Sequence, residues 1–417
     1  MDRRRFVTSS TLAGAAAIIA PHATLDAQDI GPFASLKPLP PAPPITDAER
    51  LARIEKARKL MAENGIDAIF LEGGTSMSYF TGVRWGNSER TFGVVIPAKG
   101  DLAWVAPAFE EQRARELIKF SNDVRVWQED ESPYKVIAKI LRDRGVTTGK
   151  VGMEERVRFF IFDGVRQELP SAKFVSATPV TAGCRMIKSP AEIALMQRAN
   201  DITLQAIGAA FKTMKEGMTN QQLGANVAEA TRKLGGNADG ALVIFGKYTA
   251  FPHGSIQPQR LKEGDVVLID AGCTVDGYTS DITRTTVFGT PTQRQRDVWE
   301  LEKRAQSAAL AAAQVGATCE SVDAAARKVL VAAGYGPDYK TPGLPHRTGH
   351  GIGLDGHEWT NFVRGNTTKL APGMCFSDEP TIVIYGEFGI RLEDCLHITP
   401  SGPKLFTAQA VGIEKPV

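Results

Sequence analysis

The second half of the chain repeats one order of predicted elements, in which two helices are followed by a pair of strands. Ser189 and Glu192 have the spacing of an N-terminal capping box, which marks the start of a helix. Thr219 starts the next helix, and a pair of strands follows around the turn signal Asp276-Gly277. Two such units can place their strand pairs in one sheet with the helices outside it. We therefore predict an α+β fold built around a curved sheet.

The second unit has the same order of elements, although its residues differ from those of the first. Thr292 starts a helix that should run to about Val315, and Ser321 starts the next helix. Two strand runs follow, near residues 374–384 and 388–398. The repeat is one of pattern alone, and it favours a single domain over this part of the chain.

The region before the repeat alternates strands and helices in a different way. Thr46 and Glu49 match a capping box, and the helix that they start should end near Gly65. The runs "DAIFLEG" and "TFGVVIP" are typical of buried strands, and "FEEQRARELIKF" is typical of a helix. We predict a smaller α/β domain over residues 46–180, preceded by a Pro-rich linker over residues 28–45.

The first 27 residues have the composition of an export signal. Three arginines, residues 3–5, precede the apolar run "LAGAAAIIA", which is too short to span a bilayer. The arginine cluster resembles a twin-arginine signal, and "LDAQ" offers a cleavage site after Ala27. We expect residues 1–27 to be removed and the mature protein to be periplasmic or secreted, without a membrane contact. The alternative is an uncleaved membrane anchor.

Composition argues against several classes of partner. The formal net charge of +2 at pH 7 gives no reason to expect nucleic acid or an acidic membrane surface. Charged residues make up 23% and hydrophobic residues 43%, as in ordinary globular proteins. The cysteines form no C-x-x-C pair, so we interpret them as buried thiols, with one disulfide as the alternative. They are Cys184, Cys273, Cys319, Cys375 and Cys395.

Two aspartates lie in the strand pair of the first unit, "VVLIDAGCTVDGYTSDITRTT". A turn at Asp276 places Asp270 nearly opposite Asp281, with the side chains close together. Two buried carboxylates cannot both stay ionised without a cation, because burial and mutual repulsion both disfavour the charge. Either one is protonated or a metal ion lies between them. The alternative, an exposed hairpin with two solvated aspartates, is disfavoured by the apolar residues before Asp270.

The second unit carries a similar pair of acids. Glu379 lies in "FSDEPTIVI" and Glu393 in "GIRLEDCLHI", where apolar and polar residues alternate. Such a strand suggests a polar cavity on one face, and the alternative is a half-buried strand with a solvated face. Four carboxylates and a histidine would form a five-residue ligand set for two divalent ions. Mixed oxygen and nitrogen donors suit Mn, Fe, Co or Zn rather than Ca.

Three of the six histidines lie in "HRTGHGIGLDGHE", residues 346–358, together with four glycines. The stretch is either a flexible loop with stray histidines or one wall of a reactive site. In the second case the glycines would let the backbone pass close to a crowded metal site.

The acids and one of these histidines resemble the five metal ligands of the pita-bread metallopeptidases, the family of Xaa-Pro dipeptidase (prolidase), aminopeptidase P and methionine aminopeptidase. The matching residues are Asp270 in "IDAG", Asp281 in "SDITRT", His350 in "GHGIGL", Glu379 in "DEP" and Glu393 in "RLED". Residues 185–417 resemble the pita-bread catalytic domain, and residues 46–180 resemble the creatinase-type N-terminal domain of that family. The resemblance implies two divalent metal ions as cofactors, with manganese preferred to cobalt, zinc or iron.

The resemblance also implies roles for residues around the ligands. His253 in "FPHG" matches a histidine that lines the substrate site, and His357 matches one that holds or protonates the scissile amide. Glu379 would be both a ligand and the general base, which makes these three the expected catalytic residues. Thr283 would support the metal ligands, because it shares a face with Asp281, and Arg391 would orient either Glu393 or a substrate carboxylate. The alternative for each residue other than Glu379 is a structural polar role.

The function implied by the resemblance is that of an exported hydrolase acting through a hydroxide that bridges the two metal ions. A small peptide, either an Xaa-Pro-like dipeptide or a peptide N-terminus, would be the substrate, and a homodimer the assembly. The first alternative is a metal-dependent non-peptidase on the same fold, either a dimethylsulfoniopropionate-type lyase or an organophosphate hydrolase. The second is a catalytically inactive binding module, which the complete ligand set disfavours.

Two positions depart from the family pattern. Thr360 lies two residues after "HE", where the family often has proline, and Thr381 follows "EP", where it usually has glycine. Neither is a metal ligand, but both are expected where substrate binds, so they leave the preference for proline open. His346 is also left open, as either a polar residue beside the ligands or a structural one.

Overall fold

The computed structural model describes residues 31–417, apart from the side chain of Asp239. The predicted signal, residues 1–27, and the start of the Pro-rich linker lie outside the described residues. The rest of the linker is irregular in structure, and Phe33, Leu36 and Leu39 pack in a cluster with helices of the second half of the chain. None of the helices within residues 31–417 has the length and apolar content that a bilayer crossing requires.

A six-stranded mixed sheet forms the smaller N-terminal domain. Its elements are α1 (Asp47–Asn64), β1 (Ala68–Glu72), α2 (Thr75–Thr81), β2 (Gly93–Pro97), β3 (Ala103–Pro107), α3 (Glu111–Leu117), β4 (Val124–Trp127), α4 (Pro133–Asp143), β5 (Lys150–Met153), α5 (Phe159–Glu168), β6 (Lys173–Ser176) and α6 (Thr178–Arg185). The strand order is β4-β3-β2-β1-β5-β6. Apolar clusters cover both faces of the sheet, which is why β1 and β2 are buried along their whole length. The predicted α/β domain is confirmed.

The first helix of this domain is capped at both ends, although not entirely as predicted. Thr46 Oγ1 accepts from the backbone N–H of Glu49 at 3.2 Å, and Gly65 ends the helix at a φ of 61°. Glu49 does not complete the predicted capping box. Its carboxylate instead accepts from Arg53 Nη2 and from Ser189 Oγ, both at 2.7 Å. The helix is thereby tied to the start of the second half of the chain.

The second half of the chain forms the larger domain. Its elements are α7 (Pro190–Phe211), α8 (Asn220–Lys233), β7 (Asn237–Phe245), β8 (Val266–Val275), β9 (Tyr278–Thr279), β10 (Ile282–Val287), α9 (Gln293–Ala312), α10 (Cys319–Ala332), β11 (Gly349–Gly351), β12 (Glu358–Phe362), β13 (Cys375–Asp378), β14 (Thr381–Ile384), β15 (Phe388–Arg391), β16 (Asp394–Thr399) and β17 (Gly402–Leu405). One sheet has the order β10-β8-β7 with β9 paired to β8, and another has the order β12-β11-β13-β16-β17. Strands β14 and β15 form a separate ribbon. The predicted order of two helices followed by strands is present twice.

Helix starts follow the predicted caps with one exception. Complete capping boxes form at Ser189, Thr219 and Thr292. The predicted start at Ser321 is wrong, because α10 already begins at Cys319. All five cysteines are buried, and none forms a disulfide within residues 31–417.

Each predicted strand run of the second unit is in fact two short strands. The first run is interrupted at Glu379 and Pro380, between β13 and β14, and the second at Leu392 and Glu393, between β15 and β16. Because β13 pairs with β16 and β14 pairs with β15, the two interruptions lie side by side. They bring two of the predicted metal ligands together.

Candidate metal centre

The five predicted ligands come from separate segments of the larger domain. Asp270 lies on β8, Asp281 precedes β10, His350 lies on β11, and the two glutamates lie at the strand interruptions. Ligand atoms of Asp270, Asp281 and Glu393 lie within 4.8 Å of one another, as do those of His350, Glu379 and Glu393. The structure therefore brings all five side chains to one place.

The two aspartates are offset in the ladder rather than directly opposite. Asp270 pairs with Thr283, and Asp281 lies two residues earlier on the same chain segment. Cys395 fixes the backbone of Asp281, because its Sγ accepts from the Asp281 N–H at 3.3 Å and donates to the Asp281 carbonyl at 3.1 Å. This buried thiol was not predicted to belong to the site.

Arg391 and Thr283 each contact one of the acids, although Arg391 contacts Asp270 rather than Glu393, the acid expected from the resemblance. Arg391 Nη2 donates to Asp270 Oδ2 at 2.6 Å, Nη1 donates to the carbonyl of Pro252 at 3.0 Å, and Nε donates to Thr283 Oγ1 at 3.1 Å. Thr283 Oγ1 in turn donates to Glu393 Oε2 at 2.7 Å. The other oxygen, Glu393 Oε1, is buried and has no hydrogen-bond partner among the described residues. An orphaned buried oxygen indicates a missing cation or proton.

The acids of the cluster raise one another's pKa. Burial, followed by repulsion from Asp270, raises the pKa of Asp281 well above its usual range. Burial, followed by repulsion from Asp281, does the same for the pKa of Glu393. Burial raises the pKa of Glu379 to about 7, although Arg391 opposes the shift. Such a cluster holds protons near neutral pH unless cations replace them, so the donor set fits divalent metal ions.

His350 presents a nitrogen lone pair to the acids. Its Nδ1 lies 3.1 Å from the carbonyl of Gly351, so Nδ1 carries the proton and donates it there. Its Nε2 lies 3.4 Å from Glu379 Oε1 and 3.7 Å from Asp281 Oδ2. Burial lowers the pKa of His350 to about 3, which keeps the imidazole neutral. The neutral imidazole is the form that binds metal ions.

A cavity of about 570 Å³ borders the five ligands, and both predicted substrate-side histidines, His253 and His357, line it. The ring centroid of His357 lies 3.9 Å from that of His350. Arg347 Nη2 donates to His357 Nδ1 at 3.0 Å, which leaves the His357 proton on Nε2. Burial, followed by the charge of Arg347, lowers the pKa of His357. A ring nitrogen of His357 also lies within 4.8 Å of ligand atoms of Asp281 and His350, so His357 lies directly beside the ligand cluster.

Known proteins match this chain along nearly the whole of its described length. The model of "Metallopeptidase family M24" matches residues 194–400, and that of "Creatinase/Prolidase N-terminal domain" matches residues 53–187. The sequence is 31% identical over 359 residues to the Xaa-Pro dipeptidase of Lactobacillus helveticus, an alignment that covers 85% of this chain and 96% of that one. The chain belongs to metallopeptidase family M24.

Two further M24-type proteins extend the match. The Xaa-Pro dipeptidase of Pyrococcus furiosus is 32% identical over 358 residues, which covers 85% of this chain and 97% of that one. The crystal structure of dipeptidase PepE from Mycobacterium ulcerans aligns with a TM-score of 0.82 at 30% identity, over 89% of this chain and 99% of that one. The pita-bread fold with a creatinase-type N-terminal domain is confirmed, and the chain is a metallopeptidase.

The two departures from the M24 pattern lie outside the cavity wall. Thr360 is buried, and its Oγ1 accepts from Asn366 Nδ2 at 2.7 Å. Thr381 is also buried and reaches the cavity only through His346, whose Nε2 lies 3.1 Å from Thr381 Oγ1. Neither threonine is among the described residues that line the cavity. The prediction that both lie where substrate binds stays a prediction, since the cavity beside the ligands is lined by other residues.

Several cavity residues were not predicted as part of the site. They are Pro252, Pro345, Arg347 and Tyr385. Arg347 carried a usable signal, because it lies inside the histidine-rich stretch beside His346. His346, whose role the sequence does not decide, also lines the cavity. Burial lowers its pKa to about 4, so its imidazole is neutral.

Proposed function

We propose that this M24 protein is an exported two-metal peptidase that cleaves Xaa-Pro dipeptides or short Xaa-Pro peptides. The observation that carries the proposal is that two groups of ligand atoms share Glu393. One group adds Asp270 and Asp281, and the other adds His350 and Glu379. A carboxylate common to two groups provides two adjacent cation positions, as in two-metal hydrolases. The named activity of the relatives from L. helveticus and P. furiosus supports the substrate class.

Divalent ions held by these residues would supply Lewis acidity to the scissile carbonyl and would lower the pKa of an attacking water. The carboxylate-rich donor set makes manganese our first choice, ahead of cobalt, zinc or iron. Glu379 accepts the proton of the attacking water, because its carboxylate belongs to the ligand cluster and also lines the cavity. His357 donates from Nε2 to the carbonyl oxygen, since Arg347 occupies its Nδ1.

The cavity wall favours a short substrate that carries a charged end. A volume of about 570 Å³ suits a small peptide. Arg347 supplies a fixed positive charge on the wall, and we assign it to the carboxylate of a dipeptide. His253 lines the same cavity and supplies a further polar contact for the substrate.

Export and a homodimer complete the proposal. Export is supported by the arginine cluster, residues 3–5, and by the short apolar run that follows it. The homodimer is supported by the family resemblance alone, and light scattering of the purified protein measures it directly.

A substrate panel with defined metal loading tests the proposed reaction. The protein is stripped with a chelator and reloaded with Mn, Co, Zn or Fe in turn. We expect the stripped protein to be inactive and the reloaded protein to cleave Xaa-Pro dipeptides faster than Xaa-Ala dipeptides. Amidation of the dipeptide C-terminus should raise KM, because Arg347 then lacks its carboxylate partner.

Glu379→Gln should lower kcat by a factor of about 10² to 10⁴, because it removes the proton acceptor. Glu387→Gln is the matched control, since Glu387 is a half-exposed glutamate paired with Arg294. A protein that binds no divalent ion and gains no activity from any of the four would contradict the two-metal proposal. A metal-loaded protein that ignores every Xaa-Pro peptide but converts other small molecules would favour the non-peptidase alternative.

A further inference from the structure

The N-terminal domain does not line the cavity beside the ligands, although some of its residues share a separate small pocket with His357. Residues that line the cavity run from Pro252 to Glu393, and within the described chain the N-terminal domain contributes none of them. Residues 352–359, which we call the histidine loop, carry His357. The side chain of His357 is only partly buried, so burial alone does not fix its position. The polar contacts of the histidine loop are therefore the means by which the backbone under His357 is held.

Glu358 is the centre of these contacts. Its side chain is only 4% exposed, and it forms ion pairs with Arg185 and with Lys188, the second at 2.8 Å. Its Oε1 also accepts from the backbone N–H groups of Leu354 at 2.9 Å and Asp355 at 3.2 Å. One buried carboxylate thus closes the histidine loop on itself and joins it to the junction between the domains.

Arg185, the last residue of α6, bridges the two domains. Its Nη2 donates to Asp355 Oδ2 at 2.5 Å, and its Nη1 donates to Ser76 Oγ at 3.3 Å. Asp355 Oδ1 accepts from Thr75 Oγ1 at 2.7 Å and from Arg156 Nη1 at 2.9 Å. These donors belong to two different segments of the N-terminal domain.

The far end of the histidine loop is attached as well. Trp359 Nε1 donates to Glu155 Oε2 at 2.8 Å. Asp355 before His357, and Glu358 and Trp359 after it, therefore have partners in the N-terminal domain or its junction. Gly353 has no room for a side chain, because a Cβ there would lie 2.7 Å from Glu358 Oε2 and 2.8 Å from Lys188 Cε. The tight packing at Gly353 and the buried ion pairs attach the loop to the junction between the domains.

We propose that Arg185 and Glu358 are a positioning pair that holds the histidine loop so that His357 faces the cavity. The proposal rests on the proposed function for the role of His357 itself. Neither residue of the pair lines the cavity, so both act through His357 rather than on substrate. The N-terminal domain thereby contributes to catalysis by orienting one side chain of the larger domain.

Amide hydrogen exchange on the full metal-loaded chain tests whether the pair holds the loop. We compare Arg185→Met, Arg185→Lys and Glu358→Gln with the control Arg53→Lys. Arg53 is also a buried arginine that joins the two domains, through Tyr278 and Glu192. We expect the exchange rates of the Leu354 and Asp355 amides to rise at least about tenfold in Arg185→Met. The rise should be smaller in Arg185→Lys, which keeps the positive charge but loses the forked guanidinium group. Arg53→Lys should show no rise.

A double-variant cycle tests whether the effect passes through His357. Arg185→Met and Glu358→Gln should lower kcat by about 10- to 100-fold with KM within about threefold, since the reacting groups are misplaced but substrate still binds. In a His357→Ala background, Arg185→Met should change kcat by less than about twofold. A purely structural role predicts instead that the two losses multiply.

The proposal is overturned if exchange in the histidine loop is unchanged in Glu358→Gln, or if the losses multiply in the double variant. If Arg185→Met does not fold, Arg185→Lys and Glu358→Gln carry the same two tests. Failure of the proposed function would be seen separately, as a wild-type protein that cleaves no Xaa-Pro peptide. The exchange measurement needs no substrate, and the cycle can use any substrate that the wild type converts.

Discussion

Glu379 and His350 show how burial sets charge at single residues of the site. Their Oε1 and Nε2 atoms are 3.4 Å apart. Burial raises the pKa of Glu379 to about 7 and lowers that of His350 to about 3, because removal of water disfavours the charged form of both groups. Near pH 6 the metal-free site therefore holds a proton on the carboxyl group and none on the imidazole.

We expect the affinity of the site for Mn²⁺ to rise with pH between 6 and 8. Glu379 must lose its proton to bind a cation, whereas His350 is already neutral over this range and adds no pH dependence. One proton displaced from a group with a pKa of about 7 strengthens binding about tenfold between pH 6 and 8, and protons on Asp281 and Glu393 add to this. Calorimetric titration of the stripped protein at pH 6, 7 and 8 measures the change in Kd.

Folding stability of the metal-free protein should follow the opposite trend. The pKa of Glu379 in the folded state lies above its ordinary value of 4.5, so the folded state binds more protons than the unfolded state. This contribution to stability is lost as pH rises through about 7. Glu379→Gln is the control for both trends, because it has no such proton to release. A wild-type Kd that does not change between pH 6 and 8 would contradict the assignment.

The sequence predicted where the second unit of the larger domain forms strands, but not how long each strand is. The alternating pattern continues through Glu379 and Glu393, so the sequence predicts two long strands where four short ones exist. The interruptions depend on which strands pair. Pairing between distant segments cannot be predicted from the local alternation of apolar and polar residues. Pro380 was the one available signal, because proline lacks the N–H that a central strand donates. Strands β7, β11 and β12 were not predicted, and β11 spans only three residues.

Gly349 on β11 is required by the close approach of β11 to β13. A Cβ at this position would lie 2.1 Å from the carbonyl oxygen of Ser377, which is backbone and cannot turn aside. We expect Gly349→Ala to lower the free energy of unfolding by about 1–3 kcal/mol. It should also lower metal content, because the adjacent His350 is displaced. Chemical unfolding of the stripped protein and elemental analysis of the loaded protein measure the two effects.

Gly356→Ala is the control within the same histidine-rich stretch, since a Cβ there meets nothing within 4 Å. It should leave both the unfolding free energy and the metal content near those of the wild type. The sequence predicted that glycines here let backbone pass close to a crowded site, and the contrast between the two positions shows where this holds. Wild-type stability and metal content in Gly349→Ala would refute the explanation.

For the molecule as a whole, the sequence predicted those functional residues that lie in short motifs. Each of the five residues predicted as ligands lies in a motif of a few residues, so all five could be named before their geometry was known. Contacts between distant segments could not be predicted in this way. Arg185 and Glu358 are 173 positions apart, and only the folded chain shows that they form an ion pair. The same reason explains why Tyr385 and Cys395 were not recognised as parts of the site.

Export is a property of the whole chain that its first 27 residues predict. We expect the protein, expressed in a bacterial host with a twin-arginine pathway, to reach the periplasm and to begin after Ala27. Replacing all three arginines, residues 3–5, by lysine keeps the charge but removes the planar guanidinium groups, so the variant should stay in the cytoplasm as the longer precursor.

Asp2→Asn is the matched control for the lysine variant, because it alters the same segment without touching the arginines, and it should be exported like the wild type. Cell fractionation, with mass spectrometry of the N-terminus, distinguishes the exported, cleaved protein from the longer precursor that stays in the cytoplasm. Export of the lysine variant at the wild-type rate would indicate a general secretory signal instead, because that route needs only the positive charge. A wild-type chain recovered at full length in the membrane fraction would establish the uncleaved anchor.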